Sequence, residues 1–133
     1  LIPNVILNCI NGKNVELSSG EQKRDFIFVE DLIEAYIKAM ENPSTKGLVL
    51  NMGSGHDISV KEVANMIYKL VKSKNKLMFG KKSKELFETD VCWRADISKS
   101  RKVLNWKPKT SLNVGLKKTI DWFKKNVHLY KKN

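Results

Sequence analysis

The segment that decides the fold is GEQKRDFIFVED, residues 20–31. It begins inside a polar turn from Ser18 to Lys23, and the apolar run Phe26 to Val29 then predicts an extended strand. Asp31 and Glu34 mark the start of a helix, because short polar and acidic side chains are favoured there. The stripe of apolar residues on this helix is Leu32, Ile33, Tyr36, Ile37 and Met40. A strand followed by a helix is the repeating unit of α/β proteins.

The alternation of helices and strands extends to both sides of this segment. Pro3 suits a first helical turn, and Ser59 and Glu62 have the spacing of a capping box that begins a helix. The continuous apolar run at 48–51 is typical of a strand buried on both faces. We predict helices over 3–10, 59–71, 96–104 and 111–123, strands at 15–17, 48–51 and 77–79, and a loop over 81–92. The fold class is therefore α/β, built from helices with short strands.

The chain is strongly basic, with a net charge of +11. Lysines that neutralise phosphates bind nucleic acid without any further motif, so a free-standing nucleic-acid- or nucleotide-binding module is an alternative function. Nearly all of the positive charge is Lys, however, scattered from Lys13 to Lys132 and interleaved with acids. Proteins that read DNA grooves concentrate Arg and aromatic residues on one element instead. We therefore expect a solvated lysine-rich surface and no specific nucleic-acid partner.

Length and composition favour one domain over residues 1–133. An apolar content of 41% is enough to bury one core, and no run of about 18 apolar residues predicts a membrane span. Leu1 is neither an initiator Met nor the start of a secretion signal, so we expect a cytoplasmic chain cut from a longer one. Cys9, Cys92, His56 and His128 are each solitary, which predicts reduced thiols and no metal site.

Two short motifs have both a functional and a structural interpretation. Gly53-Ser54-Gly55 partly matches a dinucleotide-binding turn, but the third glycine is absent and no acidic residue follows at the usual distance. Tyr68 and Lys72 match the Tyr-x-x-x-Lys spacing that lowers a phenol pKa for proton transfer. Such a pair arises easily by chance in a lysine-rich chain. We interpret the first as a plain turn and Tyr68 as a helix-surface residue.

Three stretches, read in order, resemble a single enzyme family. GEQKRDFIFVED at 20–31 resembles the GxxxRDFIYVDD stretch of extended short-chain dehydrogenases that act on nucleotide sugars. NMGSG and ISV, within 51–60, resemble the NIGSG motif and its IS-hydrophobic continuation. ADISK to LNWKP, within 95–108, resembles ADISKAxxxLGWxP. The final helix at 112–123 resembles the helix that closes these proteins, so the resemblance runs nearly end to end.

The resemblance implies that this chain is the small C-terminal substrate domain of an NAD(P)-dependent nucleotide-sugar 4-epimerase or 4,6-dehydratase. Family members have an N-terminal Rossmann domain that holds NAD or NADP and the catalytic residues, and that Rossmann core is missing here. The implied chemistry is that of an isomerase, lyase or oxidoreductase acting on a nucleoside diphosphate-sugar. The fragment alone is expected to bind no cofactor and to be inactive, whereas the complete enzyme is expected to be a homodimer.

The resemblance also implies which residues contact the substrate. Arg24 occupies the motif position that binds the diphosphate, and it is one of only three arginines. Arg94 is the nearest match to a second phosphate-binding arginine, although the segment from Glu88 is about one residue shorter than the family pattern. The strand implied to contact the nucleobase consists of Val15, Glu16, Leu17 and Ser18. The structural alternative for Arg24 is an ion pair with Asp25 or another surface acid.

Family members pack two of these elements against the cofactor domain. They are the helix after Phe28 and the strand at 48–51. Without that domain, the resemblance implies exposed apolar surface at Leu32, Ile33 and Tyr36 or at the strand. Large apolar patches usually become interfaces, so we expect the isolated chain to self-associate.

Overall fold

The computed structural model describes residues 1–81 and 92–130. Five α-helices alternate with four short strands and two 3₁₀ turns over these residues. The helices are α1 (Ile2–Ile10), α2 (Val29–Glu41), α3 (Val60–Val71), α4 (Ser98–Leu104) and α5 (Leu112–Lys125), and the 3₁₀ turns are Pro43–Thr45 and Val127–Tyr130. The strands are β1 (Val15–Glu16), β2 (Lys23–Asp25), β3 (Asp57–Ser59) and β4 (Leu77–Met78). The predicted α/β class, with helices and short strands, is confirmed.

The chain divides into two compact units. The first takes its described residues from Leu1–Lys23, Ser59–Val91 and Asn113–Asn133, and the second from Arg24–Ile58 and Cys92–Leu112. Two small sheets are present in the described ranges: β1 runs parallel to β4, and β2 pairs with β3. The prediction that residues 1–133 form one C-terminal domain stays a prediction.

The first unit is built around the packing of α1 on α3. Val5 and Ile6 of α1 and Val63 and Ile67 of α3 are completely buried. The α3 helix starts where the sequence predicted, since Ser59 accepts a hydrogen bond from the Glu62 N–H and the Glu62 carboxylate accepts one from the Ser59 N–H. This reciprocal pair satisfies two amides that a helix start leaves free.

The second unit has a smaller core between α2 and α4. Ala35, Leu104 and Trp106 are buried there, and the partly buried residues packed on them are Ile27, Ala39, Leu50, Met52 and Val103. Polar bonds add to this packing: the buried Asp31 carboxylate accepts a 2.9 Å hydrogen bond from the Thr110 N–H. Asn42 donates through its side-chain amide to the Val103 carbonyl.

The structure corrects the local prediction around residues 23–31. The strand lies at Lys23–Asp25 rather than at Phe26 to Val29, and α2 begins at Val29 rather than at Asp31. Phe28 is the extended residue before the helix and makes no side-chain cap bond, whereas Asp31 lies in the first turn. Because Asp31 accepts from Thr110, its carboxylate fixes a distant segment instead of capping its own helix.

The predicted strand at 48–51 is wrong for this chain. Residues 48–52 have no regular structure, and Val49 is 81% exposed. A strand requires a neighbouring strand for its backbone hydrogen bonds, and no strand of the described ranges pairs with this run. β3 was not predicted, because three residues with two polar side chains give no strand pattern. Most of the predicted loop over 81–92 lies outside the described residues.

Within the described ranges, no helix combines the length and the apolar character needed to cross a lipid bilayer. The same residues contain no group of three or more His, Cys, Asp or Glu side chains arranged to bind a metal ion.

Candidate functional site

Arg24 lies in β2 with its guanidinium against an indole ring. The guanidinium carbon is 4.8 Å from the centre of the Trp93 ring, and the backbones of the two residues form a parallel bridge. Cation–π attraction is strongest for Trp among the aromatic side chains. Trp93 is 59% exposed, so this stack faces solvent on at least one side. The contact of Trp93 with Arg24 was not predicted from the sequence.

Arg94 follows Trp93 directly and is mostly exposed. It forms a long ion pair with Asp57, with 3.8 Å between Nη1 and Oδ1. A pair of that length on an exposed side chain contributes little, typically under about 1 kcal/mol, so it competes weakly with an incoming anion. Arg94 also borders a surface pocket of about 400 Å³. The other residues that line the pocket are Ser54, Gly55, His56, Ala95, Asp96, Ile97, Ser98 and Arg101.

Asp25, next to Arg24, is occupied by other partners. Its carboxylate accepts hydrogen bonds from the backbone N–H groups of Ser54, Gly55 and Ala95 and from the Ser54 hydroxyl. The alternative that Arg24 pairs with Asp25 or another surface acid stays a prediction. These bonds also engage the amides of the Gly53-Ser54-Gly55 turn, which a dinucleotide pyrophosphate would need. These bonds agree with the interpretation of 53–55 as a plain turn.

The four residues expected at the nucleobase, Val15 to Ser18, belong to the first unit, whereas Arg24 and Arg94 belong to the second. Val15 is buried in β1 and pairs with Leu77, and Ser18 is buried and accepts a 3.3 Å bond from the Gln22 side chain. Glu16 is exposed and Leu17 is half-buried. A role for these four residues in substrate binding stays a prediction.

Tyr68 has a structural partner. Its hydroxyl donates a 2.7 Å hydrogen bond to the Asn75 carbonyl, and Lys72 ends α3 in the left-handed conformation. A phenol bonded to a backbone carbonyl agrees with the interpretation of Tyr68 as a helix residue with no catalytic task.

Comparisons with known proteins agree on one family. The model of the family described as GDP-mannose 4,6 dehydratase matches residues 1–119. The chain is 34% identical over 119 residues to a UDP-glucuronate 4-epimerase of Thermodesulfobacterium geofontis, a match covering 84% of this chain and 33% of the relative. It is 31% identical over 133 residues to the dTDP-D-glucose 4,6-dehydratase of Mus musculus, covering 92% of this chain and 34% of the relative.

Solved structures give the same result. An epimerase from Methanothermobacter thermautotrophicus superposes with a TM-score of 0.90 at 26% identity, over 96% of this chain and 38% of that protein. A UDP-glucuronic acid 4-epimerase from Bacillus cereus, solved with UDP-glucuronic acid and NAD, gives 0.82 at 28% identity, over 94% of this chain and 40% of that protein. The chain thus spans about a third of the curated relatives it matches.

Proposed function

Because the chain belongs to the GDP-mannose 4,6 dehydratase family, we propose that it is the substrate-binding part of an NAD(P)-dependent nucleotide-sugar 4-epimerase or 4,6-dehydratase. Arg24 and Arg94 bind the diphosphate of the nucleoside diphosphate-sugar in this proposal. The observation that carries it is the stack of the Arg24 guanidinium on Trp93, with Arg94 next along the chain.

The stack supports this role because of what a diphosphate requires. Its oxygens lose water on binding and need charged donors with fixed direction in exchange, and a planar guanidinium presents two parallel N–H groups to them. An indole ring 4.8 Å from the guanidinium carbon restricts the orientation of the Arg24 side chain. Arg94 adds a second positive charge, and its ion pair with Asp57 is long. Together the two arginines bind the diphosphate and thereby orient the sugar.

The cofactor and the chemical step belong to other parts of the proposed enzyme. Asp25 engages the amides of the one glycine turn that resembles a cofactor loop, which argues that this chain binds neither NAD nor NADP by itself. The bound nicotinamide supplies oxidation of the hexose at C4, and the catalytic residues lie in the Rossmann portion. The chain alone is therefore inactive. We also propose that the complete enzyme is a cytoplasmic homodimer and that the strand from Val15 to Ser18 contacts the nucleobase.

The decisive experiment substitutes Arg24 in the complete enzyme of which this chain is proposed to be part. Charge-assisted hydrogen bonds contribute roughly 1.5–3 kcal/mol each, so Arg24→Ala is expected to raise KM for the nucleotide sugar about ten- to a hundredfold. NAD affinity is expected to stay nearly unchanged, because the cofactor lies on the other portion. Arg24→Lys is expected to recover only part of the loss, because an ammonium cannot donate as a fork. Steady-state kinetics with each variant measure these effects.

Lys102→Ala is the matched control, since it removes one exposed positive charge from the same unit. It is expected to leave KM within about twofold, because Lys102 does not line the pocket beside Arg94 and an exposed charge is screened by salt. If Arg24→Ala lowers thermal stability and leaves KM unchanged, Arg24 has a structural role only and the proposal fails.

A further inference from the structure

The Asp25 carboxylate has every acceptor position filled. Oδ1 accepts from the Ser54 N–H at 2.7 Å and from the Ser54 hydroxyl at 2.6 Å. Oδ2 accepts from the Gly55 N–H at 3.0 Å and from the Ala95 N–H at 3.2 Å. A carboxylate has about four lone-pair positions, so Asp25 is saturated by these donors.

Gly53 allows this close approach. A Cβ built on Gly53 would lie 2.6 Å from Asp25 Oδ2 and 2.7 Å from the Ala95 Cβ, closer than real Cβ contacts come. Any larger residue at this position must displace the carboxylate or the Ala95 segment. The glycine of the turn is therefore required by the fit between three chain segments.

These three segments are the ones that build the arginine site. The first is β2 with Arg24 and Asp25, the second is the 53–55 turn, and the third contains Trp93 and Arg94 directly before Ala95. Ala95 lies 70 residues after Asp25 in the chain. Its hydrogen bond to Asp25 anchors the segment that contains Trp93, the residue whose ring the Arg24 guanidinium contacts. Charge-assisted bonds of this kind are about twice as strong as neutral ones, so the carboxylate is a firm anchor.

We propose that Asp25 is a positioning residue for the diphosphate site, which acts through the Ala95 and Gly55 amides to hold the segment of Trp93 and Arg94 against the strand of Arg24. This inference rests on the proposed function of the two arginines. Asp25 does not touch the substrate, because its oxygens are occupied by protein donors. The Gly53-Ser54-Gly55 turn accordingly receives an internal carboxylate where a dinucleotide-binding turn receives a phosphate.

Asp25→Asn in the complete enzyme tests the inference. Asparagine keeps the shape and one acceptor oxygen, but its NH₂ group faces at least one backbone N–H that also donates, so at least one of the four bonds is lost. KM for the nucleotide sugar is expected to rise about tenfold, with kcat changed by less than about threefold, since uniform substrate binding is what weakens. Asp121→Asn, the same change at an exposed position of α5, is expected to leave both constants unchanged.

A double-mutant cycle separates positioning from general damage. If Asp25 acts through the arginines, Asp25→Asn raises KM by a smaller factor in the Arg24→Ala background than in the parent enzyme, because only Arg94 remains to be displaced. Two outcomes would overturn the inference and leave the proposed function intact. In the first, the KM rise of the double variant equals the product of the rises in the two single variants. In the second, Arg24→Ala raises KM but Asp25→Asn leaves it unchanged. An unchanged KM in Arg24→Ala would instead overturn the proposed function.

Ser54→Ala keeps the inference testable if Asp25→Asn does not fold. It removes the hydroxyl bond to Asp25 and the contacts of the same hydroxyl with the His56 backbone, and it keeps the Ser54 and Gly55 amides in place. We expect a rise in KM of about threefold that is again smaller in the Arg24→Ala background. A Ser54→Ala enzyme with the same KM rise in both backgrounds contradicts the positioning role.

Discussion

Helices α2 and α3 are alike in length and in the spacing of their apolar residues, but they differ in how far those residues are buried. They have 13 and 12 residues, and each has an apolar stripe at three- to four-residue spacing. Ile67 of α3 is 0% exposed against α1, whereas the α2 residues Ile33, Tyr36 and Met40 are 50%, 57% and 79% exposed. The spacing of apolar residues thus identifies the helix face that is suited to burial. It does not show whether another helix or strand packs against that face. The relatives are about three times as long as this chain, so they contain further elements.

The largest expected effect is a loss of stability when the buried face of α3 is altered. Ile67→Ala leaves a cavity between α3 and α1, and losses of about 2–5 kcal/mol are typical for such a change. Ile33→Ala on α2 is expected to change the free energy of unfolding of the isolated chain by less than about 0.5 kcal/mol, because its side chain is half exposed. Urea unfolding of both variants measures the difference. Equal losses would contradict the contrast between the helices.

The second expected effect is on self-association through the exposed apolar face of α2. We expect the isolated chain to self-associate through the outer face of α2, and Ile33→Glu with Met40→Glu is expected to weaken association about tenfold or more, because charges replace apolar contacts. Analytical ultracentrifugation over a concentration series measures it. Asn11→Glu with Asn113→Glu makes the same charge change at two exposed positions and should have little effect. A monomeric parent chain at high concentration would contradict this prediction.

The smallest effect sharpens the comparison at the helix starts. α3 has a side-chain cap, Ser59, whereas Phe28 before α2 makes no side-chain cap bond. Loss of a Ser cap costs about 1 kcal/mol, so Ser59→Ala is expected to lower stability by that amount near neutral pH.

The Ser59 cap should also be sensitive to acid. Hydrogen bonds from the Ser59 hydroxyl and then from its backbone N–H lower the pKa of Glu62. A group whose pKa is lowered by folding stabilises above its unfolded pKa, near 4.3 for Glu, and loses that contribution as the pH falls through its folded pKa. The stability gap between the parent chain and Ser59→Ala should therefore narrow from pH 6 to pH 3. Thermal unfolding at both pH values tests this, and a constant gap would contradict it.

Local signals explain which parts of the fold were predictable. The start of α3 follows from Ser59 and Glu62, because both partners of the capping box lie within one helical turn. The run at 48–51 was misassigned, because whether an apolar run becomes a strand depends on a neighbour that local sequence does not reveal. The same limit applies to the strand at Lys23–Asp25, whose partner β3 is more than thirty residues away.

The candidate site divides in the same way. Arg24 and Arg94 could be named from motifs that resemble a family, but Trp93 and Asp25 could not be assigned their contacts. Asp25 bonds to residues 29 and 70 positions away, and no periodicity encodes such pairs. The available signal was indirect: a glycine turn without a complete dinucleotide motif still needs a partner for its amides.

The two cysteines offer a chemical consequence of the packing. Burial raises the pKa of the Cys9 thiol, outweighing a hydrogen bond with Ser73, so at neutral pH Cys9 is protonated and reacts slowly with alkylating reagents. Cys92 is exposed and directly precedes Trp93. A maleimide dye therefore attaches to one position per chain without any engineered cysteine. Cys92 is next in the chain to Trp93, whose ring the Arg24 guanidinium contacts. Quenching of the dye fluorescence by Trp93 can therefore be used to follow ligand binding at Arg24 over time.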